Sequence, residues 1–155
     1  MTLFLAFALG MVAGLRSMTA PAAVAWGAHL GWLTLEGTPL AFLGSVAARY
    51  ILLAAMLAEL VADKLPFTPS RILPGPFVGR IVAGGLVGAA LATGVGQSLP
   101  LGALAGALGA VAGTLGGYKV RTSLVPALGV PDYVVALAED VVAVGGALLI
   151  LAAAS

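Results

Sequence analysis

Apolar residues fill this chain in long runs broken by a few charges and prolines, without the strict alternation that marks half-buried strands. The first run, Thr2 to Leu15, stops at Arg16 and is short for a bilayer span, which takes about 20 residues. A second, Ala20 to Leu35, contains Pro21, Trp26, His29 and Trp32. The pattern predicts a first span followed by an interfacial or re-entrant segment. Trp26 and Trp32 would then lie at headgroup level, where amphipathic rings are favoured. Glu36-Gly37-Thr38-Pro39 punctuates the chain and opens a second helix from about Leu40 to Leu65. Pro66, Pro69, Pro74 and Pro76 mark a loop over residues 66–76. A third helix is expected from about Phe77 to Ser98 and a fourth from Pro100 to about Tyr118. After a polar stretch at 119–123 and the breakers Pro126, Gly129 and Pro131, a last helix runs from about Asp132 to Ala152.

Composition turns this pattern into a class. The 155 residues are 61% hydrophobic and only 8% charged, whereas a soluble domain carries roughly a quarter charged residues. Mean hydropathy is +1.15. The expected fold is therefore an all-α integral membrane protein, a single polytopic domain over residues 1–155 with about five transmembrane helices and interrupted or re-entrant segments. No basic residue precedes the first run, which argues against a cleaved signal peptide. The chain has no Cys and one His, so no thiol chemistry and no metal site or cofactor is expected. A net charge of +1 argues against nucleic acid as a partner.

The 22 glycines change the packing picture. Gly109, Gly113 and Gly117 share one helical stripe, as do Gly84, Gly88 and Ala92, and Gly102 and Gly106 lie on the same helix as the first set. Such stripes let helices in lipid touch backbone to backbone. Packing within the chain explains them most simply; a homodimer through these glycine-rich helices is the sharper expectation. A dinucleotide fingerprint is excluded, because it needs a preceding strand.

The few charges carry topology and candidate chemistry. Basic residues are retained on the cytoplasmic side of a membrane. With five spans, Lys64, Arg71 and Arg80 fall on the same side as Lys119 and Arg121, and Arg16 falls on the other or within the bilayer. This predicts a cytoplasmic N-terminus and an external C-terminus. An ionisable group inside the bilayer costs several kcal/mol unless paired or hydrated, so it is a functional candidate. Glu139 and Asp140, near the middle of the last helix, are the strongest such signal. Glu59 and Asp63 are four apart and share a helix face. Asp132 follows Pro131 at a helix start, where capping is the simplest role.

Two segments resemble each other. Arg16, Ser17 and Pro21 match Arg121, Thr122 and Pro126, each set following a Gly-rich helix. Leu57-Ala58-Glu59 matches Leu137-Ala138-Glu139 further on. Repeat one would cover about 1–65, a connecting helix about 77–98, and repeat two about 101–152. Three spans separate the two starts, so the copies are expected inverted, as in secondary transporters that bind solute near the midplane. Arg16, Ser17, Glu59, Asp63, Arg121, Thr122, Glu139 and Asp140 are the candidate residues for binding a solute or ion. The arginines would hold an anionic group and the glutamates would carry protons.

The Gly14-Leu15-Arg16-Ser17 start, the Glu59-Leu-Val-Ala-Asp63-Lys64-Leu-Pro66 run and the Pro-rich loop with Arg71 resemble a family of small bacterial membrane proteins, catalogued as domain of unknown function 4126. The resemblance implies a multi-pass protein of the bacterial inner membrane and supplies no activity. The expected function is a small transporter or permeation protein for a solute or ion, with protons as a candidate coupling ion. A non-catalytic membrane scaffold, whose charges set helix register, is the alternative. A lipid-modifying enzyme ranks third, since no Gly-x-Ser-x-Gly elbow or Asp-rich metal motif is present.

Overall fold

The computed structural model describes residues 1–66 and 69–155. It is all-helical among those residues: α1 (Thr2–Leu15), α2 (Thr19–His29), a 3-10 turn (Ala41–Gly44), α3 (Val46–Ala62), α4 (Pro74–Gly94), α5 (Leu99–Leu128) and α6 (Asp132–Ala154). Three helices, α4, α5 and α6, are long and apolar enough to cross a membrane. Large apolar side chains such as Val141, Leu149, Val82 and Leu108 are more than half exposed. A soluble monomer rarely leaves so many bare; lipid would cover them.

The helix directions follow from which residues meet. Gly10 faces Gly106 and Gly14 faces Ala110 and Thr114, so α1 and α5 run parallel. Gly84 faces Gly106 while Gly88 faces Gly102, so α4 is antiparallel to both. Arg16 meets Asp140 while Val12 meets Gly146, so α6 is antiparallel to α1. Ser17 meets Glu59 and Trp26 meets Tyr50, so α3 is antiparallel to α2. The six helices thus alternate up and down. Both termini lie at one end, with residues 30–45 and the α4–α5 turn. The other end gathers the α1–α2 break, residues 63–66 and 69–73, and the α5–α6 turn.

This arrangement corrects several expectations. Residues 19–29 form a helix of their own, so Arg16 lies at the same end as Lys64, Arg71 and Arg121 rather than opposite them. The two termini share an end instead of flanking the bundle. The helices leading into the two similar Arg segments are parallel, not inverted. The two breaks also differ. Pro21 falls in the first turn of α2, where a missing N–H is tolerated, and the chain is non-helical at Arg16. Pro126 instead lies inside α5, two residues before its end. The fourth helix therefore does not stop at Tyr118; it runs to Leu128 and is closed by Gly129, whose φ of +61° suits glycine. The Pro-rich loop is shorter than expected, because α4 opens on Pro74; Phe67 and Thr68 of that loop lie outside the described residues.

The core is a seam of backbones. A Cβ on Gly106 would lie 2.1 Å from the Gly84 carbonyl oxygen, and one on Gly109 would lie 2.0 Å from that of Phe7. Gly10, Gly14, Gly84, Gly88, Gly102 and Gly113 are in similar contact within the chain, and Gly117 faces the Leu15 side chain. These stripes are therefore occupied by α1, α4 and α5 themselves, and a dimer through them has no surface left to use. The apolar segment after α2 closes the far end, where Leu33 and Leu35 are buried against Gly94.

Candidate functional site

Arg16 ends α1 and organises the basic end of the bundle. Its side chain is 0% exposed. Nε donates to Asp140 Oδ1 at 2.7 Å, Nη1 to Asp63 Oδ2 at 2.6 Å, and Nη2 to the Ala136 carbonyl at 3.3 Å. Nη2 also lies 3.7 Å from Glu139. A guanidinium presents five N–H donors in a fixed fork, so one residue can tie several helix ends at once.

Each carboxylate around it has a second cation. Lys64 Nζ donates to Asp140 Oδ2 at 2.5 Å and to the Leu60 carbonyl at 2.7 Å. Arg71 grips Glu139 with both Nη atoms, at 3.2 and 3.0 Å, the bidentate geometry that suits Arg. Arg121 Nη1 donates to Asp63 Oδ2 at 2.8 Å and to Glu139 Oε2 at 3.4 Å, and its Nε and Nη2 grip Asp132. Burial alone would raise the Asp63 carboxyl. The Arg121 hydrogen bond and the charges of Arg16, Arg121 and Arg71 outweigh it and hold Asp63 below its ordinary range.

Glu59 has a different task. Its Oε1 accepts from the Ser17 backbone N–H at 2.8 Å and the Ser17 hydroxyl at 2.7 Å, and Oε2 accepts from the Met18 N–H at 2.8 Å. These are donors exposed by the break before α2, at the positive end of its dipole. The carboxylate satisfies them as a capping side chain would. Arg80, also buried, stands 3.8 Å away.

The structure thus brings together Arg16, Asp63, Arg121, Glu139 and Asp140 of the expected residues, with Ser17 and Glu59 at the edge. Thr122 stays outside the ion pairs: its hydroxyl donates to the Tyr118 and Lys119 carbonyls of its own helix, although it lines the cavity beside them. Lys64, Arg71 and Asp132, read from the sequence as topology markers or a cap, are full members, and Arg80 stands with Glu59 at the edge. Only the convergence of helix ends reveals them. The cluster also lies toward one end of the bundle, not at its midplane, since Glu139 is the eighth residue of a 23-residue helix.

Beside the ion pairs is a cavity of about 500 Å³. Asp63, Arg71, Arg121 and Asp132 supply its charges, and Tyr118, Ser70 and Thr122 its hydroxyls. Both signs are present, so the site suits a molecule with polar groups of either sign better than a bare anion. Among the described residues no group of acidic, His or Cys side chains is arranged to hold a metal ion.

The fold and this site define a helical membrane bundle with most of its charged groups drawn to one end. A family model described as a domain of unknown function (DUF4126) matches residues 3–154, and the chain belongs to that family. No curated protein and no solved structure matches it. The run Glu59-x-x-x-Asp63-Lys64 now has a physical content: the three charges serve the α2 start, Arg16 and Arg121, and Asp140 in turn.

Proposed function

We propose that the protein is a small membrane transporter or permeation protein whose solute or ion site is the charge-lined cavity at the basic end. One observation carries this reading. Arg71, Arg121 and Asp63 face the cavity while also belonging to the ion-pair cluster that ties α1, α3, α5 and α6. A solute with charged groups competes for those same partners, so occupancy and helix arrangement are linked. The basic end faces the cytoplasm in this reading, because of the 7 Lys and Arg only Arg49 lies toward the other end. Both termini are then external, the reverse of the N-terminal side expected from five spans.

The test is flux. Protein in liposomes is assayed for protons, K⁺, Cl⁻, phosphate and a zwitterion such as glycine. Flux of one of these, lost in Glu139→Gln, supports the reading; wild-type liposomes tight to all of them refute it.

A scaffold reading is favoured by a separate observation: Arg16 is fully enclosed, and each acid of the cluster has a cation within 4 Å. The pair Arg71 and Glu139 separates the two. The exchange Arg71→Glu with Glu139→Arg keeps a pair in place, so a scaffold regains stability and function. A transport site regains stability and loses flux.

A further inference from the structure

The end of the bundle that carries the termini holds one arginine, outside the ion-pair cluster. Arg49, in the first turn of α3, lies over Trp26 of α2, its guanidinium carbon 5.6 Å from the ring centroid. His29 and Tyr50 meet the same indole edge-on, at 6.0 and 6.1 Å. Arg16, Arg71, Arg80 and Arg121 each have a carboxylate within 4.0 Å. Among the described residues Arg49 has none.

Two buried nitrogens at this spot lack a hydrogen-bond partner: Arg49 Nε and Trp26 Nε1. Both groups only donate. The indole already faces the guanidinium, and neither can satisfy the other. The missing component is an acceptor, and beside an unpaired cation an anionic oxygen is the acceptor that fits. The surroundings say where it comes from. Val46, Tyr50 and Ile51 on the same helix are more than half exposed and largely apolar, so in a bilayer this corner borders lipid. Arg and Trp together are the residues that meet headgroups at a membrane interface.

We propose that Arg49 and Trp26 form a binding site for a phosphate oxygen of a lipid headgroup at the end of the bundle bearing the termini. The inference is independent of the transport reading. Free phosphate shares the chemistry, and the experiment separates the two sources.

Full-length protein in detergent is titrated with phosphatidylglycerol and, in a parallel arm, with millimolar inorganic phosphate, and bound ligand is counted by native mass spectrometry. Wild type retains the lipid, and Arg49→Gln lowers its affinity roughly tenfold. Trp26→Phe keeps the ring over Arg49 and loses only the N–H, so it folds and binds about threefold more weakly. Lys119→Gln, at the opposite end, changes nothing. If inorganic phosphate displaces the lipid and binds with the same dependence on Arg49, the oxyanion site stands and its source is the solution. Equal lipid retention by wild type and Trp26→Phe, with no effect of phosphate, overturns the proposal even if Arg49→Gln fails to fold.

Discussion

The block of α1, α4 and α5 and the group of α2, α3 and α6 are held by different means. The first is joined chiefly through glycine seams, where backbone atoms touch. In the second, α2 and α6 bury apolar residues while α3 buries none, and at the basic end the carboxylates of α6 and of the α3 C-terminus are tied to Arg16 and Arg121 of the first block. Dispersion across a glycine seam is short-ranged and forgives no added volume. Ion pairs in a low dielectric are strong, yet they can change partners: Asp63 has Arg16, Arg71 and Arg121 within 4 Å. In one part of the molecule backbone contact leaves no room for added volume, and in the other one carboxylate is shared among several arginines.

Four changes test this contrast, in falling order of effect. Gly106→Leu drives a side chain into Gly84 and Gly88 and should cost about 4 kcal/mol or more, read as loss of monodisperse protein after extraction. Arg16→Gln leaves Asp63 and Asp140 short of a buried partner. Its cost should be about 3 kcal/mol in thermal unfolding, with the glycine block still helical by circular dichroism. Glu59→Gln weakens the cap on α2 and should cost about 1 kcal/mol. Gly116→Ala, where nothing lies within 4 Å of the added carbon, should change stability by less than about 0.5 kcal/mol. An effect of Gly116→Ala equal to that of Gly106→Leu would abolish the distinction between seam and surface.

Acid probes the same group through Asp63. Its carboxyl is held below the ordinary value near 3.9. The stability it contributes is therefore present above about pH 4 and is lost as pH falls through its lower folded value. The melting temperature in detergent should hold from neutral pH to about 5 and fall below about 4. Asp63→Asn should flatten part of that fall.

The sequence showed the class of fold through its apolar runs, and the glycine stripes through their spacing of four. It also pointed to Arg16, Glu59, Asp63, Glu139 and Asp140, because charge inside an apolar run is expensive wherever the helix goes. What it hid was direction. Residues 20–35 carry Pro21, two Trp and a His, and hydropathy does not say whether such a stretch crosses or lies flat. Treating it as flat reversed the parity arguments downstream: it set Arg16 opposite the other cations or within the bilayer, and it made the parallel helices α1 and α5 look inverted. Lys64, Arg71 and Asp132 were hidden for a related reason. Each stands at a helix end, where a charge has a bland explanation, and only the meeting of those ends makes them partners. Pro126 shows the reverse error. Within the last turn of a 30-residue helix a proline loses few bonds, so Pro126 does not break α5.

Flux through liposomes bearing wild type and Glu139→Gln, each checked for helix content and monodispersity, tests the central claim most directly. The account predicts movement of one of the assayed ions or of glycine in wild type and its loss in a Glu139→Gln protein that remains folded. Liposomes impermeable to all of them, or equal flux in the two proteins, would contradict it.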